Sequence, residues 1–157
     1  MTSLVEPGGD CWTIEDSTDQ EFLHRNITAS AERLLAFLDL NRVEGIFEFP
    51  SSRSFPHNAC QRVSMIFAFL VEERYAVRDA AIIRGTNPRR YEHHFWVRAC
   101  GRIYDLTAQQ FRGRRPILGM VATPLARRFN EQQEMHDADS VERAEVIDLF
   151  RRGIIPF

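Results

Sequence analysis

No apolar run in this chain approaches the length of a membrane span, and residues 1–18 lack the basic-then-apolar pattern of a secretory signal. Cysteine is scarce: Cys11, Cys60 and Cys100 are the three, an odd number at spacings that suggest no disulfide framework. Reduced thiols and a cytoplasmic setting are therefore expected, with export by a route that needs no cleaved signal as the alternative. Neither C-x-x-C nor H-x-x-x-H occurs, so the usual zinc spacings are missing. Neither sign of charge dominates, since 20 basic and 22 acidic residues leave a net −2. That balance gives no general pull toward nucleic acid or membrane, and no basic face with interleaved aromatics can be traced. There is no internal repeat and no low-complexity tract. At 157 residues the chain can bury one self-sufficient core, and it reads as a single domain over 1–157.

Residues 1–19, rich in Gly, Pro, Thr and acidic side chains, read as a loose N-terminal arm pinned by Trp12. Leu34, Leu35, Phe37, Leu38 and Leu40 form an apolar stripe that predicts a helix over 29–41. A short strand is expected over 43–49, closed by Pro50. Val63, Ile66, Phe67, Leu70 and Val71 recur at three- and four-residue spacing and predict a helix over 61–73, preceded by a loop over 51–58. Strands are expected over 79–84, 91–99 and 102–107, with 85–90 as a turn. Residues 112–124 carry turn signals and are a candidate lid, as is the arm. A last helix is expected over 140–152, with Ser140 as N-cap. This order of elements fits an α+β layout with helices packed on a small antiparallel sheet.

Cys60, at the start of the second helix, sees the positive end of the helix dipole and unpaired backbone N–H groups. Both favour the thiolate, and the same N–H groups suit an oxyanion forming on a substrate carbonyl. Asn58 could cap that helix or aim a donor at the oxyanion. Cys100-Gly101 makes a plausible two-residue hairpin turn, because glycine tolerates the positive φ it needs. With that turn Ala99 faces Arg102, Trp96 faces Asp105 and His94 faces Thr107, so all four inner residues share one face of the sheet. Asp105 then lies diagonal to His94, within reach of a hydrogen bond, while His93 points to the other side. Cysteine, histidine and aspartate in this order suit a nucleophile, its base and the group that orients the base.

Cys60 opening a helix, then His94-Phe95-Trp96-Val97, then Gly101-Arg102-Ile103-Tyr104-Asp105-Leu106-Thr107, resembles the core of the transglutaminase-like and papain-like cysteine enzymes. The shared pattern is cysteine at a helix start, histidine-x-tryptophan on a strand and glycine-x-x-x-aspartate-x-threonine on the next. The match covers residues 55–111. It implies a catalytic core in which the nucleophile helix packs on a small antiparallel sheet, with Cys60, His94 and Asp105 as the triad. That superfamily includes peptidases, protein-glutamine deamidases, crosslinkers and acyltransferases. The chain departs from it in having no glycine beside Cys60 and no upstream glutamine for the oxyanion hole.

The expected chemistry is attack of a thiolate on an amide of a protein or peptide, without a cofactor or metal, and hydrolysis of the acyl-enzyme. Transfer to an amine on the same triad is the alternative. Asn58, Trp96 and Gln109 are the candidate oxyanion and substrate-binding residues, with Gln110 and Phe111 also near the pocket. Arg84, Arg89 and Arg90 read either as a solvated edge or as partners for an acidic group of the substrate. Cys100 reads as an exposed, incidental thiol. Two rivals of other classes are a metal site drawn from Cys60, His93 or His94 and Asp105, and a binding module that keeps the fold without catalysis.

Overall fold

The computed structural model describes residues 17–135 and 141–157. Within them the order is α1 (Ser17–Glu44), α2 (Cys60–Tyr75), β1 (Ala81–Asn87), β2 (Glu92–Ala99), β3 (Arg102–Asp105), β4 (Ile117–Met120), β5 (Glu131–Met135) and α3 (Arg143–Arg151). The strands form one antiparallel sheet in the order β4-β3-β2-β1-β5, so the fold is α+β. No helix among the described residues is long and apolar enough to cross a membrane.

The main core joins the buried faces of α1 and α2 to Val97, Ala99 and Tyr104 of the sheet and to Val146 of α3. A second, smaller cluster gathers Ile83, Trp96, Ala108, Ile117, Leu125 and Phe129. Along β2, Val97 and Ala99 belong to the first cluster and Trp96 to the second, which is the period-two alternation of a strand buried on both faces.

The hairpin register is the one the turn requires. Cys100 and Gly101 both have positive φ, 51° and 74°, as a two-residue type I′ turn demands, and Ala99 pairs with Arg102. β3 stops at Asp105, two residues short of expectation, because the chain turns at Leu106-Thr107 into a 3-10 turn over Ala108–Gln110.

Several expectations change. α1 starts at Ser17 rather than 29, burying His24, Ile27, Ser30 and Ala31 ahead of Leu34, so residues 17–19 are helix and the rest of the expected arm lies outside the described residues. No strand forms over 43–49. The N–H and C=O of Phe47 are taken instead by the buried Asn41 side chain at 2.7 and 2.8 Å, which satisfies them as a neighbouring strand would. β1 runs through Gly85 to Asn87, into the expected turn. Residues 117–120 of the candidate lid are the edge strand β4, and the polar run 131–135 is β5 on the other edge. α3 begins at Arg143 behind Glu142, and Ser140 lies outside the described residues. Cys100 is half-buried and disulfide-bonded, not an exposed thiol. The expectation of three reduced thiols fails there, and with it the argument from thiols to a compartment.

Candidate active site

Cys60 is the first residue of α2, and the first helical hydrogen bond runs from the Val63 N–H to the Ala59 carbonyl. The amides of Cys60, Gln61 and Arg62 thus have no intrahelical acceptor and supply the positive end of the helix beside the sulfur. Asn58 does not cap the helix. It is exposed with φ 59°, and the capping position is Ala59, with no side-chain hydrogen bond.

His94 and Asp105 come together as the register requires. His94 Nε2 lies 2.6 Å from Asp105 Oδ2, with the two side chains 0% and 1% exposed. The other carboxylate oxygen accepts hydrogen bonds from the Thr107 N–H at 3.1 Å and the Thr107 hydroxyl at 3.3 Å. These donors fix which oxygen faces the ring. In the neutral ring Nε2–H donates to Asp105, which leaves Nδ1 as the nitrogen able to take a proton from Cys60. Cys60 lies near enough to His94 to act on the ring's pKa. Burial disfavours a charged ring, but hydrogen bonds to Asp105 and Cys60, together with the negative charges of both, outweigh it and raise the His94 pKa to about 9.

Aromatic rings enclose the histidine. Phe111 meets it edge-on at 4.9 Å between centroids, and Phe129 and Trp96 lie at 5.5 and 5.9 Å. Trp96 is 1% exposed, so it walls the histidine rather than offering a surface to substrate. Cys60 itself is only partly buried, and it gives the site its open side.

Gln109 is turned away, donating to the Leu106 carbonyl at 2.8 Å. Its neighbour Gln110 takes the place expected of it, with Nε2 3.5 Å from His94 Nδ1, a long contact that puts a carboxamide donor beside the nitrogen facing the thiol. A glutamine pair after the aspartate was the available signal, and it did not say which member faces inward. His93 sits on the other face, 3.0 Å from the Thr86 hydroxyl. Among the described residues no group of three or more His, Cys, Asp or Glu side chains is arranged to hold a metal ion. A cavity of about 710 Å³ lies elsewhere, between Phe69, Arg78, Arg98 and Glu134, and no member of the triad lines it. No protein-family model, curated protein or solved structure matches this chain.

Proposed function

We propose that this chain is a thiol-dependent amide hydrolase, a peptidase or protein-glutamine deamidase, with Cys60 as nucleophile, His94 as acid and base, and Asp105 as the orienting carboxylate. The observation that carries this reading is the buried His94 Nε2 to Asp105 Oδ2 bond of 2.6 Å, which leaves Nδ1 for the Cys60 thiol at a helix start. An imidazolium held up at about 9 stands charged at neutral pH beside the sulfur, the arrangement of a thiolate and imidazolium pair.

The steps follow from these positions. The sulfur of Cys60 attacks the amide carbonyl, and the oxyanion forms against the free amides of the first turn of α2, with the Gln110 carboxamide beside it. His94 Nδ1–H protonates the departing amine, leaving a thioester on Cys60. Water, deprotonated by Nδ1, then attacks the thioester carbonyl, and the thiol is released with the acid. Asp105 keeps the ring in one tautomer throughout. An amine in place of water gives acyl transfer.

The test is the rate of iodoacetamide alkylation at Cys60 against pH, for wild type and His94→Ala, with the labelled peptide assigned by mass spectrometry. An activated pair keeps the rate high well below the free-thiol pKa of about 8.5, and His94→Ala abolishes that plateau. A Cys60 that titrates as a free thiol in both proteins would sink the catalytic reading in favour of a binding module. Ammonia or a new amine terminus in the products tells a deamidase from a peptidase, and a free carboxylate in place of a new amide tells hydrolysis from acyl transfer.

A further inference from the structure

A second concavity opens behind the aromatic wall of the candidate site. It measures about 320 Å³ and is lined by Asn87, Pro88, Arg89, Arg127, Arg128 and Asn130, the turn after β1 facing the segment before β5. Three guanidiniums converge there with two carboxamides. Arg128 is held in place: it pairs with Glu92 at 2.9 Å and lies over Phe111 at 4.7 Å and Phe129 at 5.3 Å. Those are two of the rings packed on His94, so one aromatic ring separates the groove from the candidate base.

Arg89 and Arg127 have no ion-pair partner among the described residues, and both are exposed. Arg90 adds a further exposed cation, and Glu131 is the one other carboxylate adjacent in sequence to the lining residues. Arginines brought together without matching acids repel one another unless an anion sits between them, and the flat guanidinium fork suits a carboxylate. Asparagine carboxamides beside them offer further donors to the same group.

We propose that this groove holds an acidic side chain, Asp or Glu, of the polypeptide whose amide Cys60 attacks, which makes Arg89 and Arg127 specificity residues. The substrate part of this assignment rests on the reading of Cys60, His94 and Asp105 above.

Fluorescence anisotropy tests it with two labelled peptides of equal length, one bearing glutamates where the other bears glutamines. At low salt the acidic peptide binds wild type about fivefold to tenfold more tightly, the size expected of a pair of exposed charge contacts, and salt erodes the difference. Arg89→Ala with Arg127→Ala brings the ratio to about one; both side chains are exposed, so the fold tolerates their loss. Equal affinity for the two peptides in wild type, or a preference that survives in the double variant, overturns the groove. Labelled single-stranded RNA binding more tightly than the acidic peptide also overturns it, in favour of a nucleic-acid surface. An inert Cys60 in the iodoacetamide profile is a separate failure: it overturns the assignment to a substrate without involving the arginines.

Discussion

Asp105 shows how much one atom's identity carries. Thr107 gives two donors to Oδ1, so an asparagine at this position must keep its carbonyl oxygen there and turn its NH₂ toward His94. Nε2 then has to accept, the ring proton moves to Nδ1, and the nitrogen facing the thiol can no longer take a proton. We expect Asp105→Asn to slow Cys60 alkylation at neutral pH by about 10²–10⁴-fold with little change in fold; alkylation kinetics and the ¹⁵N shifts of the His94 ring check it. The raised His94 pKa has two consequences. On the proposed mechanism, the ring above about 9 lacks the proton that the leaving amine needs, so activity is expected to fall on the alkaline side of a pH–rate profile. The folded value also lies above the unfolded one of 6.5, so the pair's contribution to stability is complete below 6.5 and lost as pH rises through about 9. Urea unfolding of wild type and His94→Gln across that window measures it. At this scale His94 and Asp105 were legible, since a two-residue turn and a period of two leave one register. Gln110 was not, because a 3-10 turn swings neighbouring side chains about 120° apart, and only its starting point decides whether Gln109 or Gln110 faces the ring.

Single positions also decide how the elements meet. Gly85 lies opposite His94 in the β1–β2 ladder, and a Cβ there would stand 2.4 Å from Trp96 Cη2 and 2.7 Å from Phe129 Cβ. Both neighbours pack on His94. Gly85→Ala should cost about 1–3 kcal/mol through overpacking, read from the urea midpoint, and should slow Cys60 alkylation as the wall shifts. α1 is tied to β3 by His24, buried, with Nδ1 3.1 Å from the Tyr104 hydroxyl. Burial pushes the Tyr104 pKa up to about 12, so the phenol stays the donor and the histidine accepts in its neutral form. Burial first, and the Arg102 charge second, lower the His24 pKa below 6.5. The sign is opposite to that of His94: this contribution is whole above 6.5 and is lost as pH falls from there toward the lowered value. Replacing His24 with Gln should flatten the acid side of the stability profile below pH 6.5, measured by urea unfolding. Helix α2 was readable from its apolar spacing. The first three turns of α1 were not, because His24 is polar in sequence and buried only where Tyr104 meets it. The missing strand at 43–49 has a similar cause, a buried asparagine in the role of a strand edge.

Across the whole molecule, the helix that carries Cys60 is held from both ends of the chain. Tyr75 at the end of α2 hydrogen-bonds the Ser30 hydroxyl and the Asn26 carbonyl of α1. Phe157, buried after α3, sets its ring against Phe67 at 5.8 Å and Tyr75 at 6.2 Å. Phe157→Ala should lower stability by about 3–5 kcal/mol, measured by denaturant unfolding followed by circular dichroism, although the residue is remote in sequence from the triad. The sequence by itself determined the α+β class, helix α2 with Cys60 at its start, and the hairpin that sets His94 beside Asp105. Each of these is written in local periodicity or in a turn whose φ requirement few residues meet. Only the tertiary structure decided that 117–120 and 131–135 are edge strands, that Gln110 is the inward glutamine, and that Arg89 and Arg127 converge on one groove. Strand pairing across more than forty residues and the meeting of two loops depend on which surfaces the core brings together, and no window of neighbouring residues records that.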